Sequence, residues 1–242
     1  MNDHEQFAAE CATEVDAMGN DQGFRDLSQA WIDRAQELRY SYHFRWMGLP
    51  IIQYPQDIVA MQELMWRIQP ELVIETGVAR GGSLVFYASM LELLGRGEVL
   101  GIDIDIRAHN RAAIEAHTMA RRIRLLQGSS VDAAIVAQAT EAAHGKKVMV
   151  VLDSNHTHEH VLAELQHYAP LVSPGSYCVV MDTVVENMPD RLFGDRPWGV
   201  GDNPLTAVRE FLATHPEFET DRSIHDKLAV TVAPEGYLRR RT

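Results

Sequence analysis

The 242-residue sequence contains only two cysteines, Cys11 and Cys178. A single pair cannot build a disulfide framework or a zinc site made of thiolates. Cys178 lies inside an apolar run that is typical of a central strand, so we expect it to be a buried free thiol. The shortage of cysteine therefore excludes small disulfide-stapled domains and cysteine-based zinc modules.

The sequence also lacks any apolar stretch near the roughly 18 residues that a membrane-spanning helix needs. Residues 1–5 have neither the basic nor the apolar region of a signal peptide. We therefore expect a soluble, cytoplasmic protein that has no membrane partner.

Positive charge is scarce as well, with 22 basic against 34 acidic residues and a formal net charge of −12. An acidic surface argues against a nucleic-acid partner or an anionic membrane. The one block of like charge is Arg-Arg-Arg at 239–241, which we expect to be a solvated tail. With nucleic acid and membrane disfavoured, we expect the partner to be a small molecule. Apolar residues in the N-terminal region could serve either a homo-oligomer interface or the core.

What the sequence does contain, from residue 71 onward, is a regular alternation of short apolar runs and amphipathic segments. Repeated strand–helix units with short connections predict a Rossmann-like, doubly wound α/β sheet. The predicted strands cover 72–75, 99–103, 123–126, 148–152, 177–181 and 228–233, and the predicted helices cover 82–94, 107–120, 131–143, 158–168 and 205–214.

The region before this alternation has a different character. Residues 1–45 are polar, with apolar side chains near helical spacing, and predict an N-terminal helical extension. Residues 46–55 are apolar but contain two prolines and a glycine, so they form either a packed connector or the wall of a pocket. Residues 56–68 predict an amphipathic helix. We divide the chain into the extension, 1–45, and one domain, 46–242.

Two of the predicted strands end in an aspartate: Asp153 follows the run at 148–152, and Asp182 follows the run at 177–181. Ligands of open α/β sheets bind outside the carboxyl ends of the strands. Two carboxylates at the same edge repel each other unless a cation or a shared proton lies between them. The pattern therefore indicates a metal-assisted active site, although Asp153 could instead be an ordinary helix cap.

His156 lies three positions after Asp153 and is the candidate general base. Its side chain suits that role because the pKa of histidine is near neutral. Two alternatives stay open. His156 is either a surface residue of a His-rich stretch or half of a zinc-binding pair with His160, which lies four positions later.

A glycine-rich connection at 75–83, Glu-Thr-Gly-Val-Ala-Arg-Gly-Gly-Ser, joins the first predicted sheet strand to a helix. Its spacing is not G-x-G-x-x-G, which favours a ligand without a pyrophosphate. Asp103 ends the next strand, where a carboxylate can accept hydrogen bonds from ribose hydroxyls. Residues 127–130 end the third strand, where an adenine edge could be read. Each could be a simple turn or cap, but their order favours a nucleoside-bearing cofactor.

These motifs together resemble the cephalosporin hydroxylase and rhamnosyl O-methyltransferase family of class I S-adenosylmethionine-dependent methyltransferases. The similarity covers roughly residues 40–235. It rests on Val-Ile-Glu-Thr-Gly at 73–77 with Gly-Gly-Ser at 81–83, Gly-Ile-Asp at 101–103, Leu-Gln-Gly at 126–128, Leu-Asp-Ser-Asn-His at 152–156, and residues 175–182. The resemblance implies a seven-stranded sheet whose final strand is antiparallel, which would suit 228–233.

The resemblance also implies roles for individual residues. Asp153 and Asp182 would bind Mg²⁺, and His156 with Asp153 would form the catalytic pair. Related enzymes often carry a second carboxylate or amide beside the strand-five aspartate, whereas here Met181 and Thr183 flank it. Thr183 is therefore our candidate third ligand, with Glu186 or water as alternatives. The implied cofactor-binding residues are Glu75, Gly77, Arg80, Gly82, Ser83, Asp103, Gln127, Gly128, Ser129 and Asp153.

The function that the resemblance implies is a magnesium-dependent O-methyltransferase, acting on a hydroxyl of a sugar or glycosylated natural product. The alternatives are a hydroxylase or methoxylation-pathway subunit of the cephalosporin hydroxylase type, and a non-catalytic cofactor-binding subunit. The sequence shows no evident facial triad of the kind that iron oxygenases use. The acceptor pocket could involve 46–54 and the loop 193–201, in which Trp198 is either a stacking residue or simply packed.

Overall fold

The computed structural model describes residues 2–242. Two helices, α1 (Asp3–Asn20) and α2 (Gln22–Glu37), lead into a 3-10 turn at Tyr40–His43. A short antiparallel hairpin follows, made of β1 (Arg45–Trp46) and β2 (Leu49–Pro50). The structure therefore has the predicted helices in the N-terminal region, although the division of the chain at residue 45 stays a prediction.

The rest of the chain alternates between strands and helices, as the sequence predicts. The elements are α3 (Pro55–Ile68), β3 (Leu72–Thr76), α4 (Gly82–Leu93), β4 (Glu98–Asp103), α5 (Ala108–Glu115), β5 (Ile123–Gln127), α6 (Ala133–Ala143), β6 (Val148–Leu152), α7 (His158–Tyr168), β7 (Tyr177–Val180), α8 (Pro204–Thr214), β8 (Phe218–Thr220), α9 (Arg222–Leu228) and β9 (Tyr237–Arg240).

Seven of these strands form one sheet in the order β5-β4-β3-β6-β7-β9-β8. Adjacent strands from β5 to β7 are parallel, whereas β9 runs antiparallel to both of its neighbours. The predicted doubly wound, seven-stranded sheet is thus confirmed. The direction in which the chain adds strands reverses between β3 and β6, which is where open α/β sheets bind ligands.

The core consists of two hydrophobic layers on opposite faces of this sheet. Every residue of β3, β6 and β7 is buried. Side chains alternate between the two faces along a strand, so Val73 packs in the layer that holds Phe86 of α4, while Ile74 packs with Leu165 of α7 and Phe211 of α8. Full burial of each large apolar side chain contributes about 1.5–3 kcal/mol. The strand ends that carry the predicted site are therefore rigidly placed.

The C-terminal segment differs from the prediction. The strand expected at 228–233 is wrong: α9 ends at Leu228, and the last strand is β9. Residues 229–233 run irregularly because their polar groups bind a side chain rather than a neighbouring strand. Thr231 Oγ1 and the Val232 amide both donate to the buried carboxylate of Asp57 on α3.

The arginine block ends a strand rather than forming a tail, although Arg239 and Arg241 are exposed to solvent as expected. Arg239 and Arg240 lie in β9, opposite Tyr177 and Phe218 respectively. The Arg240 guanidinium donates to backbone carbonyls of the turn after α7, and Arg241 pairs with Glu219 of β8. Tyr237 and Leu238 are buried, whereas Arg239 is exposed and Arg240 half-buried at the end of β9. Arginine is compatible with this position because its charged end can reach solvent while its stem packs against the sheet.

Within residues 2–242, no helix combines the length and the apolar character that crossing a membrane requires.

We expect the Asp57 carboxyl to make the stability of the fold depend on pH. Asp57 is fully buried and also accepts a hydrogen bond from Tyr237 Oη at 2.8 Å. Burial raises the pKa of Asp57 from 3.8 to about 6, against the opposing hydrogen bonds from Thr231 and Val232. The pKa of Asp57 is higher in the folded chain than in the unfolded chain. The stabilisation that its protonated carboxyl gives to the fold is therefore fully present below pH 4. Its contribution, about 3 kcal/mol, is lost as the pH rises to 6.

The measurement is the free energy of unfolding of wild type and Asp57→Asn between pH 4 and 7. The excess stability of wild type over the variant should fall by about 3 kcal/mol across this range. Asp16→Asn, at an exposed position of α1, is the control and should show no such trend. A difference between wild type and Asp57→Asn that does not change with pH would contradict the expectation.

Candidate active site

Two adjoining clefts open at the carboxyl ends of β3, β4, β6 and β7, beside the point where the strand order reverses. The carboxylate cleft, about 220 Å³, contains Asp153, His156 and Asp182. The Asp103 cleft, about 310 Å³, contains Asp103 and Trp198. Gly77, Ala79, Asp153 and Ser154 line both clefts. A ligand that spans both would therefore pass over the glycine-rich turn after β3.

The carboxylate cleft brings together the three residues that the sequence singled out. One ligand atom from each of Asp153, His156 and Asp182 lies within 4.8 Å of the other two. His156 Nε2 is 3.4 Å from Asp182 Oδ2. The Trp198 ring meets the imidazole edge to face, with 4.9 Å between the ring centroids. His156 is thus fixed between a carboxylate and an aromatic side chain.

Backbone geometry places the two aspartates. The Asp153 amide extends the ladder of β6 by donating to the Thr76 carbonyl at 2.9 Å. Asp182 adopts a left-handed conformation, with φ 55° and ψ 21°, that turns the chain directly into a 3-10 turn at Thr183–Asn187. A non-glycine residue in this region costs on the order of 1 kcal/mol and is most common at functional sites.

The cleft has a marked excess of negative charge. Burial raises the pKa of Asp153 well above its ordinary value, and the carboxylates of Asp182, Glu75 and Glu164 raise it further. Among residues 2–242, neither Asp153 nor Asp182 forms an ion pair with a lysine or arginine. The repulsion can therefore be relieved only by a proton or by a cation from outside the protein.

Glu75, the last but one residue of β3, is completely buried behind the clefts. Ser83 Oγ donates to Glu75 Oε2 at 2.8 Å, while Oε1 has no partner among residues 2–242. Burial raises the pKa of Glu75 to about 8, although the Ser83 hydrogen bond opposes the shift. The carboxyl is therefore mostly protonated at pH 7.

Gln53 is a site residue that the sequence analysis missed. It lines the carboxylate cleft and is only 2% exposed, yet neither atom of its amide has a hydrogen-bond partner within residues 2–242. An unpaired buried polar atom costs about 1–3 kcal/mol, so a ligand, an ordered water or the nearby Tyr87 hydroxyl would have to complete the hydrogen bonds of this amide. The sequence did offer one clue, a single amide side chain inside the apolar segment 46–55. In the structure this segment forms a wall of the carboxylate cleft.

The glycines of the turn after β3 allow close contact between chain segments. A Cβ on Gly77, whose φ is 93°, would lie 1.9 Å from the Asp153 carbonyl oxygen. A Cβ on Gly82 would lie 2.1 Å from the carbonyl oxygen of Pro50 in β2. Arg80 is exposed at the rim of the carboxylate cleft. The turn is therefore held on one side by the aspartate strand and on the other by the hairpin.

Asp103 is oriented by the same turn. Its Oδ2 accepts hydrogen bonds from the amides of Val78 at 2.8 Å and Ala79 at 3.2 Å, and its Oδ1 accepts one from Asp105 at 3.0 Å. Next to it, Ile104 is 72% exposed and lines the Asp103 cleft. The cleft thus offers a fixed carboxylate beside an uncovered apolar side chain.

Several predicted residues do not reach the clefts. Ser129 lines the Asp103 cleft, but among the described lining residues Gln127 and Gly128 are absent. Thr183 is buried, and its Oγ1 donates to the Pro234 carbonyl at 2.6 Å. Glu186 accepts from the Gly201 amide and so anchors the following loop. The Thr183 hydroxyl thus donates its hydrogen to Pro234, while His156 lies with the two aspartates, and Thr183 as a metal ligand stays a prediction.

Comparison with known proteins points to one family. The sequence model of the family "Rhamnosyl O-methyltransferase/CmcI" matches residues 38–241. Rhamnosyl O-methyltransferase of Mycobacterium tuberculosis (strain ATCC 25618 / H37Rv) is 32% identical over 198 residues, which are 80% of this chain and 76% of the relative. The Mycobacterium leprae (strain TN) protein of that name is 30% identical over 200 residues, 81% and 82% of the two chains.

A solved structure supports the fold. The Mg–SAM structure of cmcI-D160 superposes with a TM-score of 0.58 at 19% identity, covering 83% of this chain and 78% of that one.

We expect Gly77→Ala to test the close contact between the glycine-rich turn and Asp153. The new Cβ would meet a backbone carbonyl, and alanine would also be strained at this positive φ. Gly145→Ala is the matched control, since Gly145 has a φ of 71° but open space around its Cα. Gly77→Ala should lower the free energy of unfolding by about 2 kcal/mol more than Gly145→Ala. Equal losses in chemical denaturation would contradict the contact.

Proposed function

The chain belongs to the rhamnosyl O-methyltransferase/CmcI family, and we propose that it is a magnesium-dependent enzyme that methylates a hydroxyl of a sugar or glycosylated natural product. Family membership makes it an S-adenosylmethionine-dependent O-methyltransferase. The observation that carries the finer proposal is the cluster of Asp153, His156 and Asp182 beside the Asp103 cleft. The matching curated relatives, which carry the name rhamnosyl O-methyltransferase, suggest the acceptor class.

The nucleoside of S-adenosylmethionine fits the Asp103 cleft. Three backbone hydrogen bonds hold Asp103 in place, two on Oδ2 and one on Oδ1, so Oδ1 keeps one acceptor position for a ribose hydroxyl. Ile104 is the apolar surface against which an adenine would bury area. The methionine end then passes over Gly77 into the carboxylate cleft, where the unpaired amide of Gln53 lies.

Mg²⁺ suits the donor set of the carboxylate cleft. Asp153 and Asp182 supply the oxygen ligands that Mg²⁺ prefers, and a cation would relieve the repulsion that raises the pKa of Asp153. When bound, Mg²⁺ supplies positive charge that stabilises a developing alkoxide of the acceptor. The cluster has two carboxylates and one imidazole, the reverse of the two-histidine set of iron oxygenases, which disfavours the hydroxylase alternative.

His156 acts as the general base. Methyl transfer forms a bond between the acceptor oxygen and the methyl carbon and breaks the carbon–sulfur bond, leaving a neutral thioether. His156 Nε2 faces the Asp182 carboxylate at 3.4 Å and carries the hydrogen of the neutral ring, so the hydroxyl proton moves to Nδ1, and Asp182 stabilises the resulting imidazolium. Trp198 limits the rotation of the imidazole through its edge contact. The enzyme's own residues thus orient the acceptor and take its proton.

Calorimetric titration with S-adenosylhomocysteine, with and without Mg²⁺, tests the two ligand sites. Asp103→Ala should weaken binding at least tenfold, or about 1.4 kcal/mol, because the ribose loses its acceptor. Asp153→Asn should abolish the effect of Mg²⁺. Asp105→Asn is the control for Asp103, since Asp105 is its exposed neighbour. Wild-type protein that fails to bind S-adenosylhomocysteine under either condition would end the proposal.

Turnover tests the base. With methyl α-L-rhamnoside and a panel of other glycosides as acceptors, His156→Gln should lower kcat by roughly 100- to 10,000-fold while S-adenosylhomocysteine still binds. His4→Gln, on the exposed face of α1, should leave kcat unchanged. Chelation should stop turnover, and added Mg²⁺ should restore it. If His156→Gln turned over at the wild-type rate, His156 would not be the base.

A further inference from the structure

A buried hydrogen-bonded network lies in the wall of the Asp103 cleft, separate from the groups used for methyl transfer. Glu164, on α7, is completely buried. Ser154 Oγ donates to Glu164 Oε1 at 2.7 Å. His160 Nε2 lies 3.2 Å from Ser154 Oγ, 3.4 Å from Glu164 Oε1 and 3.1 Å from Ser130 Oγ. Since a buried carboxylate is costly without a partner, this arrangement needs an explanation.

The network fixes which ring nitrogen of His160 carries the proton. The hydrogen of Ser154 is committed to Glu164, so Ser154 Oγ can only accept from His160 Nε2. Glu164 Oε1 already accepts the Ser154 hydrogen, so it also faces Nε2 as an acceptor. Ser130 Oγ can either donate or accept, so two of the three neighbours require Nε2 to be the donor, and Nδ1 is left as the acceptor with a free lone pair.

That free acceptor belongs to the cleft. His160 is one of the residues that line the Asp103 cleft, and within residues 2–242 its Nδ1 has no hydrogen-bond partner. Nδ1 is not among the buried unpaired atoms of the described chain, so it is open to a ligand. Tyr168 Oη donates to the Ser130 carbonyl at 2.7 Å and holds the opposite wall of the network.

We propose that His160 Nδ1 accepts a hydrogen bond from the 6-amino group of adenine and so selects an adenine nucleoside. The inference rests on the proposed function, which puts the nucleoside of the methyl donor in the Asp103 cleft. The 6-amino group is the one nitrogen-bound hydrogen donor on adenine once the ribose is attached. Hypoxanthine carries a carbonyl oxygen at that position, which would face the Nδ1 lone pair and be repelled.

His160 is thus a specificity-determining residue, and Glu164 is a positioning residue that acts through it. A purely structural network would hold α7 against the strand ends and affect every ligand equally. Selection of adenine depends instead on the acceptor at Nδ1, and on Glu164 and Ser154 keeping the proton on Nε2.

The experiment is calorimetric titration of the full chain with two ligands, S-adenosylhomocysteine and S-inosylhomocysteine, in the presence of Mg²⁺. Wild type should bind the adenine ligand at least tenfold more tightly. His160→Gln keeps a donor near the Nε2 position but has no acceptor at Nδ1. It should weaken the adenine ligand about tenfold with little change for the hypoxanthine ligand. Glu164→Gln should also reduce the ratio of the two dissociation constants, because the proton is no longer held on Nε2.

The outcomes separate the two proposals. Wild-type protein that binds neither ligand would overturn the proposed function. Wild-type protein that binds the adenine ligand, with the same ratio of dissociation constants in both variants, would overturn the role of His160 and leave the proposed function standing. Parallel losses for both ligands would likewise assign the network a structural role and overturn the inference. His158→Gln, a neighbouring histidine that bonds to α8, is the control for general damage to α7.

Discussion

The repulsion between two carboxylates on adjacent strands is the constraint around which the site is built. In the register of β6 and β7, Leu152 lies opposite Val180, so Asp153 is level with Met181 and Asp182 comes one residue later. The side chain of Met181 is buried in the core, which leaves Asp182 to turn back toward Asp153 through its left-handed conformation. The two strands keep their positions despite this repulsion because each is packed in the core along its whole length.

The N-terminal region contributes more to the clefts than its separation in sequence suggests. The hairpin at β1 and β2 rests on the first turn of α4, where Gly82 leaves room for the Pro50 carbonyl. Trp31 of α2 makes edge contacts with Tyr40 and Tyr54, which connect the helical extension to the segment that holds Gln53. Loss of the extension would therefore disturb the wall of the carboxylate cleft, even though no residue of α2 lines that cleft.

Local patterns in the sequence were sufficient to predict the sheet and the aspartates at the strand ends. These patterns can be recognised from residues that are close in sequence: valine-rich runs, a glycine-rich turn and carboxylates at strand ends. The failures have long-range causes. Residues 228–233 have the composition of a strand, but Asp57, far away in sequence, binds their polar groups. The significance of Gln53 and His160 depends on hydrogen-bond partners that the fold supplies or withholds, which neighbouring residues in the sequence do not show.

The contact between Gly77 and the Asp153 backbone has a consequence for how such an enzyme can diversify. It joins the glycine-rich turn to the chain at Asp153 through main chain alone, so neither can change position without displacing the other. Evolutionary change can therefore alter only those parts of the cleft that are held in place by side-chain contacts. The segment from Met188 to Asn203 is held mainly by side chains, such as the Glu186 carboxylate that accepts from the Gly201 amide, and it carries Trp198 to the rim. Remodelling that segment would change the rim of the cleft while the turn and the Asp153 strand keep their relative position.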